Sequence, residues 1–271
     1  MDLGLDGAAV CVQGGSKGMG RAAAEVFAKD GARIAILARE QRAIDETVER
    51  LRALGSPDAF GLSADLVDPS GIESAFAEIG ERFGGELNTL VNAAGPGGAS
   101  RRPFYELRDD EWLEAFEIGA LSAVRCTRAA LPLLRKAEWA RIVNVSAHST
   151  KRQTATLAAY TAAKSAMTSV SKNMSLALGA EEILVNTISP GSFASEGFKS
   201  AMVALPPERG LDPNNLYDCM RWIAEDFGHP AHLPRAGDPQ EIGVVIAFVG
   251  SKANSYMTGA NINVDGGSDF T

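Results

Sequence analysis

Tyr160 and Lys164 stand four residues apart in Ala159-Tyr160-Thr161-Ala162-Ala163-Lys164-Ser165-Ala166-Met167, a segment rich in small residues. On a helix, positions i and i+4 project from one face, so the phenol and the ammonium would be neighbours. A nearby ammonium favours the phenolate. Bringing a tyrosine from about 10 to near 7 takes roughly 4 kcal/mol of differential interaction. Such a tyrosine can hand a proton to a carbonyl oxygen as a hydride reaches the carbon. Taken alone, a tyrosine and a lysine one turn apart are ordinary surface decoration. What gives the pair meaning is its place directly after the fifth apolar run of the chain.

A second constellation follows the first apolar run: Gln13-Gly14-Gly15-Ser16-Lys17-Gly18-Met19-Gly20 opens directly into a helical pattern. Glycine there lets the backbone approach a pyrophosphate, whose charge is met by the free N–H groups of a helix N-terminus. We therefore read Gly14, Ser16, Lys17, Gly18, Met19 and Gly20 as cofactor-binding. The end of the second run selects the dinucleotide. An acid there would bind the ribose 2′-OH of NAD, but Ala38 is followed by Arg39, and Lys17 lies in the glycine turn. Two cations converging on a 2′-phosphate point to NADP(H).

These groups need a scaffold that brings separate loops together, and the chain reads as one. Short apolar runs at 8–13, 33–38, 59–64, 89–93, 141–146, 184–188 and 261–264 alternate with helix-period segments, the β-α-β signature of a parallel sheet. The expected fold is α/β, a Rossmann-type doubly wound three-layer structure on a single domain over 1–271. The first helix should start near Gly18 and stop at Gly31, and the last should start at Asp238-Pro239-Gln240-Glu241, with a capping acid, Pro at N1 and Glu at N3. Between 192 and 237 the pattern breaks into Gly, Pro and Asn punctuation, as in a substrate lid. Of 271 residues 45% are apolar and 22% charged, with a net charge of −8, which suits a globular chain and opposes binding to nucleic acid or an anionic membrane surface. Cys11, Cys126 and Cys219 have no metal-ligand spacing, so no metal site is expected. With neither a secretory signal pattern nor a membrane-length apolar run, the expected location is cytoplasmic.

Taken together, the motifs resemble the classical short-chain dehydrogenase/reductase family: Gly14-x-x-x-Gly18-x-Gly20, Asn92-Ala93-Ala94-Gly95, Tyr160-x-x-x-Lys164, Pro190-Gly191 and Val264-Asp265-Gly266-Gly267. The resemblance implies a seven-stranded parallel sheet, hydride transfer with NAD(P), and a homotetramer or homodimer. It also places Asp65 and Leu66 at the adenine, Asn92, Ala93, Ala94 and Gly95 along the cofactor, Lys164 on the nicotinamide ribose, and Pro190, Gly191 and the Ser195 hydroxyl at the nicotinamide end. Gln13 replaces a usual threonine, at a position where an amide can still hydrogen-bond. Two departures touch the chemistry. The family's catalytic serine falls on Ala147, leaving Ser146 and Ser149 as candidate hydroxyls and His148 as a third group. The usual asparagine of the proton relay falls on Gly119, where a water could take the space. The implied activity is reduction of a carbonyl, or oxidation of the matching alcohol. Alternatives are an NADP(H)-binding sensor or scaffold with little turnover, and a dehydratase or epimerase on the same fold. The apolar residues Phe193, Phe198, Met202, Leu205, Leu216, Tyr217, Met220, Trp222, Ile223 and Phe227 of the expected lid suggest a bulky, mainly apolar small-molecule substrate.

Overall fold

A computed structural model describes residues 2–96, 101–228 and 230–268; residue 229 of the expected lid and the extreme ends of the expected domain lie outside them. Seven strands form, β1 (Ala9–Gln13), β2 (Arg33–Ala38), β3 (Ala59–Ser63), β4 (Thr89–Asn92), β5 (Ala140–Val145), β6 (Ile183–Pro190) and β7 (Asn261–Val264). They lie in the order β3-β2-β1-β4-β5-β6-β7, and every neighbouring pair is parallel. The chain winds outward from β1 in one direction, then returns to β4 and winds the other way. The reversal between β1 and β4 is where a crevice opens beyond the strand ends in a doubly wound sheet. This is the expected Rossmann-type three-layer fold.

Strand periodicity builds the two cores. In β1 all five residues are buried, with Val10 and Val12 in one apolar cluster and Ala9 and Cys11 in the other. The first cluster is covered by α1 (Gly18–Lys29), α2 (Gln41–Ala53) and α9 (Pro239–Val249), through Phe27, Ile44, Leu51, Ile242 and Ile246. The second is covered by α3 (Pro69–Arg82), α5 (Ser122–Leu134) and α6 (Ala158–Leu178), through Ile72, Phe76, Ile79, Ala130 and Leu178. Each fully buried Val, Leu, Ile or Phe contributes about 1.5–3 kcal/mol, so continuously apolar strands are what a sheet covered on both faces requires.

Helix boundaries follow the expected signals. Gly31, at φ +79°, lies just past α1. At α9 the Asp238 carboxylate accepts from Gln240 N at 2.8 Å, and the Glu241 carboxylate accepts from Asp238 N at 2.8 Å. Between α4 (Asp109–Phe116) and α5 the helix continues through a π-turn at Glu117–Leu121 centred on Gly119. Segment 192–237 carries α7 (Glu196–Val203), capped by Ser195, and α8 (Leu216–Phe227), capped by Asn215 and closed by Gly228 at φ +65°. Met202, Cys219, Met220, Trp222 and Ile223 form its own apolar cluster. Its ends are tied together where Ala194 N donates to Gly237 O and Gly237 N to Ser192 O, both at 2.9 Å. Among the described residues no helix is long and apolar enough to cross a membrane.

Candidate active site

The glycine turn sits at the carboxyl end of β1, and two of its glycines are enforced by close approach. A Cβ on Gly14 would lie 2.5 Å from Ala94 N, and one on Gly20 would lie 2.4 Å from Gly14 O, so neither position admits a side chain. Gly18, at φ +57°, opens toward Ser195, whose Cβ would be 3.6 Å from a Cβ at Gly18. The α1 N-terminus has no capping side chain from Lys17. Instead Gly18 N donates to the Glu196 carboxylate at 2.8 Å, and Glu196 is paired with Arg21. A helix start that already attracts a carboxylate, beside a glycine-lined groove, fits the pyrophosphate of a dinucleotide. Glu196 had no signal in the sequence, because its partner lies far away in the chain.

At the end of β2 the two expected cations behave differently. Lys17 Nζ pairs with Glu40 at 2.5 Å, both side chains being more than half exposed, and this holds the Glu40 carboxyl below its ordinary value. Arg39 is exposed, and its carbonyl accepts from Ser63 Oγ at 2.9 Å. The end of β2 itself carries no acid, but Glu40, two residues beyond the strand, competes for Lys17. Asp65 is exposed, and its carboxylate accepts from Val67 N at 3.1 Å in a strand-end turn, while Leu66 is buried.

Along β4 the Asn92 amide is buried and donates to Asn144 Oδ1 at 2.8 Å, tying β4 to β5. Gln13 does what an amide can: its Oε1 accepts from Ala94 N at 3.0 Å, and its backbone oxygen accepts from Ala93 N at 2.9 Å. Gly95 then passes beside the Lys164 ammonium, 3.6 Å from where its Cβ would be. Across the crevice, Gly191 N donates to Val264 O at 2.9 Å, and a Cβ on Gly191 would lie 2.6 Å from Asp265 Cα. Pro190 O faces His148 Nδ1 at 2.9 Å. The Ser195 oxygen accepts from Phe198 N at 3.4 Å, leaving its own proton to donate.

Tyr160 and Lys164 lie one turn apart on α6, as the spacing requires. The electrostatics differ from the expectation. Lys164 Nζ donates to Val145 O at 2.8 Å and Ala94 O at 3.3 Å, so the ammonium is turned to the ends of β5 and β4. Burial lowers it to about 8. Tyr160, with desolvation as its dominant influence, is pushed up to about 12 rather than down toward 7. The phenol is thus held protonated, the form that donates.

The candidate hydroxyls also separate. Ser146 Oγ donates to Lys164 O at 3.0 Å and lies 2.9 Å from Thr168 Oγ1, so it is engaged by α6. Ser149, carried past the strand end by a short 3₁₀ turn, is 6% exposed, and its Oγ is buried without a partner. At Gly119 a Cβ would meet Ala163 Cβ at 2.8 Å, so the side-chain direction is filled by α6.

These groups line one cavity of about 600 Å³. Tyr160, Ser146, Ser149, His148, Pro190 and Gly191 come from the strand ends and α6, and Phe193, Ser195, Phe198, Ile223 and Phe227 from the segment between β6 and α9. Of the other apolar residues expected in the lid, Met202, Met220 and Trp222 are core, and Tyr217 is 61% exposed. Arg101, Arg152 and Thr154 also line the cavity and were missed, since they come from loops without periodicity or motif. No group of three or more His, Cys, Asp or Glu able to hold a metal occurs among the described residues.

A parallel sheet reversing between β1 and β4, a glycine turn at that reversal, and a tyrosine–lysine pair beside it define a nucleotide-binding oxidoreductase scaffold. Residues 8–203 match the short chain dehydrogenase family, and residues 214–269 match a pattern described as enoyl-(acyl carrier protein) reductase. The chain belongs to the short-chain dehydrogenase family. Among its relatives are the uncharacterized oxidoreductase YvrD of Bacillus subtilis, 28% identical over 98% of both chains, and the 3-oxoacyl-[acyl-carrier-protein] reductase FabG of Vibrio cholerae, 28% identical over 98% of both. Similar solved structures include L-sorbose reductase from Gluconobacter frateurii complexed with NADPH and L-sorbose, at TM-score 0.91 and 26% identity over 100% of both chains. A putative gluconate dehydrogenase from Agrobacterium tumefaciens has TM-score 0.85 and 29% identity over 99% of this chain and 98% of that one.

Proposed function

We propose that the protein is an NADP(H)-dependent oxidoreductase that reduces a carbonyl, or oxidises the matching secondary alcohol, of a bulky molecule with a mainly apolar body. The observation that carries this reading is the meeting of a protonated Tyr160 phenol and the unpartnered Ser149 hydroxyl in one cavity at the strand ends. NADP(H) held along the glycine turn and the β4 end would supply or accept the hydride. Tyr160 gives its proton to the oxygen on which negative charge develops, and the Ser149 hydroxyl donates to the same oxygen. Lys164, anchored on Val145 and Ala94, keeps a positive charge beside the site below about pH 8 and favours that charge development. Gly14, Ser16, Gly18, Met19 and Gly20 hold the pyrophosphate. Asp65, Leu66, Asn92, Ala93, Ala94 and Gly95 line the adenine and ribose path, and Pro190, Gly191 and Ser195 the nicotinamide end. Segment 192–237 serves as the lid of a single domain. A second copy of the chain would cover the exposed Leu113, Leu121, Val244 and Phe248, in a homodimer or homotetramer.

The preference for NADP(H) rests on Arg39 and Lys17, with Glu40 as a counterweight. A further reading, a cofactor-binding sensor with little turnover, is favoured by Ala147 and Gly119 standing where the family has its serine and asparagine. Fluorescence titration with NADPH and NADH, paired with an assay of nicotinamide absorbance over a panel of ketones and aldehydes, separates these readings. NADPH should bind at least about tenfold more tightly, a preference that Arg39→Asp abolishes and Glu40→Gln increases. Equal dissociation constants for the wild-type protein would overturn the NADP assignment, and binding without oxidation of NADPH by any carbonyl would support the sensor.

A further inference from the structure

Segment 192–237 has an apolar cluster of its own, and backbone bonds between Ser192, Ala194 and Gly237 close its base. The polar tie between its first helix and the cofactor half of the molecule is a single side chain. Glu196 opens α7, and its carboxylate meets the start of α1 from 178 residues further along the chain, accepting from Gly18 N at 2.8 Å and pairing with Arg21. Among the described residues, these contacts are the hydrogen bonds and the ion pair that join α7 to α1. Arg21 is steadied in turn by the buried Glu25 carboxylate, 3.6 Å from its Nε. An ion pair of this exposure contributes little by itself, but a backbone N–H donating to a carboxylate is a charge-assisted bond and fixes where the carboxylate sits. Ser195 touches the same turn, its Cβ lying 3.6 Å from where a Cβ on Gly18 would stand. Further along α7, Gly197, Phe198 and Ala201 line the substrate cavity. One short helix therefore has its start on the glycine turn and its body in the cavity wall. Gly18, Arg21 and Glu196 line a separate polar groove of about 180 Å³, whereas Met19, the next residue of the turn, lines the main cavity.

We infer that Glu196 is the latch of the lid: by joining Gly18 N and Arg21 it keeps α7 closed on the cofactor site, and NADP(H) leaves only when this contact opens. Because the carboxylate lies in the groove beside the cavity, it stays in place while the dinucleotide is bound. Glu196 is a positioning residue, acting through Ser195 and the α7 wall and not on the reacting atoms. The inference rests on the NADP(H) oxidoreductase reading, with segment 192–237 as the lid, and adds what governs exchange of the cofactor.

The test follows release and does not depend on turnover. The protein loaded with NADPH is mixed with excess NADP⁺ in a stopped-flow instrument, and the loss of bound nicotinamide fluorescence gives the dissociation rate. Glu196→Ala, which removes both contacts, should speed release about tenfold, and Glu196→Gln, whose amide oxygen still accepts from Gly18 N, about threefold. Arg21→Gln should match Glu196→Gln, and the double glutamine variant should be no faster than either alone, because both substitutions remove the same pair. The fragment 2′-phosphoadenosine 5′-phosphate has no nicotinamide half for a lid to retain, so calorimetry should find it bound as tightly by every variant as by the wild type. Glu196→Gln has the shape of the native side chain and keeps the test decisive if Glu196→Ala does not fold. Release from the Glu196 variants as slow as from the wild type would overturn the inference. So would slower release, the mark of a carboxylate that competes with the pyrophosphate, or a matching loss of fragment affinity, the mark of a loosened nucleotide site. A wild-type protein that binds neither NADPH nor NADP⁺ would overturn it together with the cofactor reading. Failure of the redox reading alone would appear as NADPH left unoxidised by every carbonyl compound, with release rates that still follow Glu196.

Discussion

The hydroxyls of Ser146 and Ser149 differ in what they have left to give. Ser146 spends its proton on the α6 backbone at Lys164 O, whereas Ser149 Oγ is buried with no partner on the cavity wall. Ser149→Ala should therefore lower kcat by about 10–100-fold, in keeping with the loss of one preorganised donor to a developing oxyanion. Ser146→Ala should cost about 1 kcal/mol of stability and change kcat by less than about threefold. Steady-state kinetics and urea denaturation of the two variants check both statements, and reversed effects would reassign the donor. Neighbours in the chain left the choice open, because the turn after β5, and not strand alternation, decides which hydroxyl returns to the site. Lys164 gives a second prediction at this scale. Its native value of about 8 lies below the value of roughly 10.4 in an unfolded chain, so between these pH values the unfolded state binds more protons and stability rises with pH. The buried charge costs about 3 kcal/mol at neutral pH. Lys164→Met should remove this part of the pH dependence between about pH 7 and 10, seen as a shallower rise in the urea midpoint. A variant with an unchanged slope would show that another group titrates.

Elements with strong local signals were legible from the sequence, and contacts between elements were not. All seven strands and the caps of α1 and α9 lie where apolar runs, glycines and the Asp238-Pro239 pair indicate, since each signal acts within a few residues of chain. The packing of the π-turn against α6 is a contact between distant segments. For that reason nothing local to Gly119 indicates that it is the position where α6 comes within a methyl's breadth. Restoring the family's asparagine tests this. Gly119→Asn places a Cβ 2.8 Å from Ala163 Cβ and should destabilise the protein by about 1–3 kcal/mol, the usual cost of overpacking, without raising activity. Ala163→Gly in the same chain should recover part of the loss. Thermal denaturation of the single and double variants is the check, and a Gly119→Asn protein as stable as wild type would contradict the tight π-turn.

On the scale of the whole molecule, a doubly wound sheet gathers at one end groups separated by most of the chain: the glycine turn after β1, the hydroxyls after β5, Tyr160 and Lys164 on α6, and the aromatic wall of segment 192–237. The motif residues of this end could be recognised in the sequence because their spacing is local. The Glu196 contact, the Lys17–Glu40 pair and the arginines of the cavity could not, because each depends on loops meeting in three dimensions. The same holds at Tyr160, where burial, invisible in the sequence, raises the phenol. The central claim is hydride transfer between the nicotinamide and a carbonyl, with Tyr160 as proton donor. Its most direct test is a reaction of NADPH deuterated at the transferable nicotinamide position with a carbonyl compound from the panel, followed by mass spectrometry and NMR of the product. The account predicts an alcohol with deuterium on the carbinol carbon, and a rate at least about a hundredfold lower in Tyr160→Phe at unchanged NADPH affinity. An alcohol without deuterium, or a Tyr160→Phe enzyme as fast as wild type while chemistry limits the rate, would contradict it.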